Sequence, residues 1–135
     1  MILITILITI FNLFHAYFSS LAINRNGTYH LPLAQSPEYG DSEDTVYDLS
    51  LFRWGVKLMN EIVTITGIHE PNLSRWQHVI DHLVEYPADE DGLLVGATLK
   101  LTSMHRHWSH LFPIYPLHVR TLGKYYDYKE EDYEK

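Results

Sequence analysis

Apolar residues recur along this chain with helical spacing in two places and as a nearly unbroken run in a third. From about Asp44 to Thr66, one stripe joins Val46, Leu49, Phe52 or Arg53, Val56, Met59 and Val63. A second joins Leu51, Trp54, Leu58, Ile62 and Ile65, and Gly67 closes the segment. This spacing predicts a long helix with Asp41 to Asp44 supplying its cap and first-turn acids. A surface helix needs only one apolar stripe, so two stripes predict cover on more than one side, as in a layered all-α architecture. Pro71 and Asn72 open a second helix through about Tyr86. Leu73, Trp76, Val79, Ile80, Leu83 and Val84 fall at amphipathic spacing, and Pro87 ends it.

Between these stretches the pattern changes. Asn26-Gly27 is a tight-turn signal, and Pro32 and Pro37 exclude a helix from Asn24 to Gly40. Thr28 to Leu31 reads as short and extended, leading into a loop that presents Ser36-Pro37-Glu38-Tyr39-Gly40. Asp89-Glu90-Asp91-Gly92 reads as a turn, and Leu93 to Leu101 as a loop with room for a short strand. Leu117 to Tyr126 is expected to form a last helix, and residues 127–135 a frayed acidic, Tyr-rich tail. No internal repeat is visible.

The run from Met1 to Ala22 has three readings. Its apolar part is interrupted too soon, by Asn12 and His15, to favour a membrane anchor. Ser20-Leu21-Ala22 would suit cleavage of a secretory signal, which would make the protein secreted, but no Lys or Arg precedes the apolar run. The third reading is a core helix of a domain whose upstream part is missing. Residues 23–126 are then the principal domain.

Composition narrows the classes. In 135 residues, 46% apolar and 20% charged residues describe an ordinary globular chain. The net charge of −7, with no Lys/Arg cluster, argues against a phosphate-tracking nucleic-acid surface. There is no cysteine, hence no disulfide or thiolate site. Ten Tyr and three Trp are an unusual share; carbohydrate sites set flat aromatic faces against sugar rings, but Tyr and Trp are also ordinary core and interface residues, the reading that composition alone favours.

The densest chemistry lies in His105-Arg106-His107-Trp108-Ser109-His110-Leu111, running into Phe112-Pro113-Ile114-Tyr115-Pro116. So many hydrogen-bonding groups suit the wall of a polar pocket that holds a sugar or an anion. Arg and His offer fixed donors to hydroxyls, while Trp108 and Tyr115 offer apolar faces. The plainer alternative is that these imidazoles cap loops and bond backbone carbonyls. Three imidazoles could also serve an open zinc site, but the His-Glu-x-x-His pattern is absent and Arg106 would set a cation beside the metal. No Gly-x-Ser-x-Gly elbow surrounds Ser109. Glu38 stands in a Pro-stiffened loop, as a carboxyl held into a cleft would, and a partly desolvated Glu can retain a proton for general-acid work. It could equally be an ordinary loop acid.

Taken together, Ser36-Pro37-Glu38 and the His105–Leu111 motif, continued by Tyr115-Pro116, resemble the catalytic domain of glycoside hydrolase family 95, the α-L-fucosidase family. Gly27-Thr28-Tyr29-His30-Leu31-Pro32 also resembles the approach to that loop, and the likeness spans roughly residues 23–120. The resemblance implies an all-α fold, an incomplete (α/α) toroid of helical hairpins with long polar loops. It also implies inverting hydrolysis of terminal sugars, with Glu38 as general acid and His105, Arg106, His107 and His110 lining the sugar pocket. No metal or cofactor is implied. The expected partners are an oligosaccharide or glycan substrate and the missing remainder of the toroid, with no nucleic acid. Leu117 stands where the family often has Gly after Tyr-Pro, and no Phe-Gln-Ile-Asp-Gly-Asn-like segment supplies water-activating residues. Inversion needs a second carboxylate roughly 6.5–9.5 Å from the acid. Asp41, Glu43 and Asp44 lie on the same loop as Glu38, so the chain by itself is expected to be an inactive fragment of such an enzyme; the alternative is a non-catalytic carbohydrate-binding or scaffold fragment that keeps the pocket wall.

Overall fold

The N-terminal apolar run folds as helix α1, Ile2–Leu21, and one side of it is built into the core. In this computed structural model, which describes residues 2–37, 39–102 and 107–119, Phe11 and Phe18 are almost fully buried. Phe11, Phe14, His15 and Phe18 share one helix face by their three- and four-residue spacing. Phe18 stacks on Phe52 at 4.6 Å, and Phe14 meets the Trp76 ring edge-on at 5.1 Å. The Trp76 indole N–H, buried with its ring, donates to His15 Nδ1 at 3.1 Å. Ile6, Leu13 and Tyr17 face outward. Among the described residues, no helix is long and apolar enough to cross a membrane.

Helix α2 spans Val46–Thr66. Its cap is Thr45 rather than an acid: the Thr45 hydroxyl accepts from the Asp48 N–H and donates to Asp48 Oδ2 at 2.7 Å. This reciprocal pair satisfies a first-turn donor that the helix itself cannot. Asp44, with φ of 50°, turns its carboxylate back instead, accepting from the Leu31 N–H and holding His30 Nδ1, each at 2.7 Å. At the other end Gly67 adopts the left-handed conformation and its N–H reaches the Val63 carbonyl. The first apolar stripe is the core, with Val46, Leu49, Phe52, Val56 and Met59 buried. Of the second stripe, Leu51, Leu58 and Ile62 are half-buried, while Trp54 and Ile65 stay exposed.

Helix α3, Leu73–Asp81, is shorter than the amphipathic spacing predicts. Strand pairing ends it: the Tyr29 N–H donates to the His82 carbonyl and the Val84 N–H to the Tyr29 carbonyl, both at 2.9 Å. Leu83 and Tyr86 remain buried, but from extended chain rather than from a fourth helical turn. Arg53 secures the crossing by donating to the Val84 carbonyl at 2.8 Å while lying over the Tyr86 ring.

The expectation of an all-α toroid fragment is overturned by three antiparallel two-stranded sheets among the described residues, which make the fold mixed α/β. β1 (Ile23–Arg25) pairs with β2 (Thr28–His30) across Asn26-Gly27, both at positive φ as a tight hairpin turn requires. β3 (Ala34–Ser36) pairs with β4 (Gly40–Ser42), and β5 (Ala88–Asp89) with β6 (Gly92–Leu93). Each strand is only two or three residues long, below the length at which period-two alternation becomes visible. The final helix expected from Leu117 lies mostly outside the described residues, as does the tail; Leu117 to Val119 are not helical.

Candidate functional site

The β3–β4 hairpin carries the Ser36–Gly40 loop, which is fastened at two points. At one, Ser36 Oγ and Ser109 Oγ form a buried hydrogen bond of 2.9 Å across 73 positions of sequence. At the other, the Tyr39 hydroxyl accepts from the Thr102 N–H at 2.6 Å and donates to the Lys100 carbonyl at 3.2 Å. Gly40 lies against Leu99, where an added Cβ would come within 3.3 Å of a methyl carbon. The two segments singled out in the sequence are therefore in direct contact. Of the predicted site residues, Glu38, His105 and Arg106 lie outside the described residues.

Ser109 opens a single 3₁₀ turn, Ser109–Leu111, which the non-helical run after it keeps short. Phe112 anchors this turn to α2 by meeting the Tyr47 ring at 4.8 Å. His110 is 7% exposed, and it lines a cleft of about 490 Å³ between the turn and the β5–β6 hairpin. That volume falls within the usual range for small-ligand sites. Leu93, Leu101, Leu111 and Ile114 give apolar walls, while Tyr115 presents a largely exposed ring. His107 is half-buried and does not line the cleft. Trp108 is exposed, with its ring 6.1 Å from that of His110.

Sequence reading missed the charged rim. Lys100 Nζ bridges Asp89 Oδ2 at 2.7 Å and Asp91 Oδ2 at 3.1 Å. Lys100, together with the Asp91 and Gly92 N–H groups, holds the Asp89 carboxyl below the usual carboxylate range, and the two acids hold the Lys100 ammonium up. Asp89 is thus an ionised acceptor rather than a proton donor. The turn at Asp89–Gly92 was legible, but its alignment with Lys100 depends on the hairpin folding back at Gly92, with φ of 124°.

Of the three acids that follow the Ser36–Gly40 loop, two are engaged elsewhere. Glu43 receives both guanidinium nitrogens of Arg25, at 2.7 and 2.8 Å, which depresses its pKa. Asp44 is occupied by His30 and the Leu31 N–H, and Asp41 is exposed on β4. Among the described residues, no group of three or more His, Asp or Glu could hold a metal. No family model matches the chain, and no curated protein matches it.

Proposed function

We propose that the chain recognises a terminal sugar of an oligosaccharide in the cleft beside Ser109. We read it as a fragment related to the inverting glycoside hydrolases of the α-L-fucosidase type, without turnover in isolation. In this reading Glu38 is the general acid and His110 is the part of the polar wall that lines the cleft; the resemblance assigns His105 and Arg106 to the same wall, whereas His107 does not line the cleft. The observation that supports it best is the Ser36–Ser109 hydrogen bond, because it ties the Ser-Pro-Glu loop to the imidazole-rich segment.

The cleft chemistry suits a polyol. Asp89 and Asp91 accept hydroxyl hydrogens, Lys100 donates, and Tyr115 offers a flat face to ring C–H groups. His110 can donate or accept according to its tautomer. The engagement of Glu43 and Asp44 elsewhere leaves them poorly placed to activate water, in keeping with recognition without hydrolysis.

The test is equilibrium titration of the full chain with L-fucose, beside an assay for fucose released from a fucosylated oligosaccharide. Saturable binding is expected, weakened at least tenfold in His110→Ala and in the exposed Tyr115→Ala, with no release. Absence of saturable binding overturns the proposal. Turnover that survives Glu38→Gln overturns the role given to that acid.

A further inference from the structure

We propose that His78 and His82 form a two-imidazole site for a divalent transition-metal ion, taking Cu2+ or Ni2+ ahead of Zn2+. The pair lies at the C-terminal end of α3, away from the residues that line the cleft. His78 sits in the last turn of the helix and His82 is its cap, so the four-residue spacing sets them on one face. Their ring centroids are 4.3 Å apart with planes tilted by 38°, and both side chains are exposed. Metal–imidazole bonds of about 2.0–2.1 Å fit two nitrogens contributed by rings at such a separation.

The second observation is orientation. His82 Nδ1 lies 2.8 Å from the His78 carbonyl oxygen. A carbonyl only accepts, so Nδ1 carries the hydrogen and the neutral ring keeps its lone pair on Nε2. A backbone carbonyl on the other ring nitrogen is the usual way a protein fixes a metal-binding imidazole. The His78 ring meets Tyr29 edge-on at 6.0 Å, which limits its rotation. Tyr29 is in turn bonded through its N–H to the His82 carbonyl, so strand β2 holds the helix end in shape before any ion arrives.

Two protein ligands leave the rest of the coordination sphere to water. The nearby Asp81 carboxylate accepts from the Gln77 amide at 2.8 Å. With so few ligands, affinity follows the intrinsic order of the metals, which puts Cu2+ and Ni2+ above Zn2+. The net charge of −7 favours cation binding. Because the spacing exists only in the folded helix end, the ion should also raise thermal stability by mass action.

The experiment uses the untagged full chain titrated with Cu2+ and with Ni2+. His78→Ala, His82→Ala and the double variant should each weaken the tightest site at least tenfold, whereas His69→Ala, an exposed imidazole outside the pair, should not. In the unmutated chain, the first substoichiometric additions of Cu2+ should broaden the amide signals of residues 76–84 before any others. Unchanged affinity in the double variant, or first broadening elsewhere with α3 spared, overturns the proposal.

Discussion

The contact between Ser36 and Ser109 can be weighed directly by a double-mutant cycle. Both hydroxyls are nearly inaccessible, at 0% and 3% exposure, and they lie 2.9 Å apart. Ser36→Ala alone strands a buried hydroxyl on Ser109, and Ser109→Ala does the reverse. Leaving such a group without its partner costs about 1–3 kcal/mol. Replacing both removes the stranded group together with the bond, so the double variant should lose less than the sum of the singles. A coupling of about 1 kcal/mol is expected, within the range for residues in one hydrogen-bonded unit. For a chain of this length, each kcal/mol corresponds to about 3.5 °C in Tm. Urea unfolding followed by Trp fluorescence reads the effect, because Trp76 lies in the core. Strictly additive single and double variants would refute the direct contact, and with it the joining of the two segments.

Gly55→Ala would place a Cβ 2.6 Å from Phe14 Cε2, so α1 must move off α2; overpacking predicts a loss of about 1–3 kcal/mol by denaturant unfolding. Burial raises the Asp48 pKa above its ordinary 3.8, so the folded state binds that proton more tightly. The associated stabilisation is complete below 3.8 and is lost as pH rises through the folded pKa. In Asp48→Asn this component should vanish, and the difference between the two pH–stability curves should show it. Asp89 has the opposite sign: its depressed pKa contributes stability above 3.8 that is lost on acidification through the folded value. Lys100→Met should move the Asp89 titration up toward the ordinary carboxylate range, as followed by carboxyl-carbon NMR.

Long periodic elements were legible in the residues, and short ones were not. The stripe from Val46 to Met59 gave α2 its core face, and Gly67 gave its end, because helical spacing accumulates over many turns. Asn26-Gly27 likewise announced the β1–β2 turn. The second stripe suggested cover on a further side, as in a layered all-α architecture. Helix α1 instead closes on Gly55 and on Phe52 of the first stripe, through Phe14 and Phe18, and Trp54 and Ile65 of the second stripe stay exposed. The end of α3 was misread because its apolar spacing continues to Val84, while the backbone there is claimed by Tyr29 on β2. The β3–β4 and β5–β6 hairpins carry no alternation to read, and their pairing is decided by contacts distant in sequence such as Tyr39 with Thr102. The site was half legible. His110 was marked by its motif, but the Asp89–Lys100–Asp91 rim depends on a chain reversal that spacing alone does not reveal.

The central claim is that a sugar occupies the cleft bounded by His110 and the Asp89–Lys100–Asp91 rim. Amide chemical shifts recorded while L-fucose is added to the isotopically labelled chain test it most directly. The prediction is a saturable set of changes concentrated at Asp91–Leu94, Lys100–Leu101 and His110–Tyr115, moved to at least tenfold higher L-fucose concentrations in Tyr115→Ala. Changes confined to α3 or the β1–β2 hairpin, or an unperturbed spectrum throughout, would contradict it.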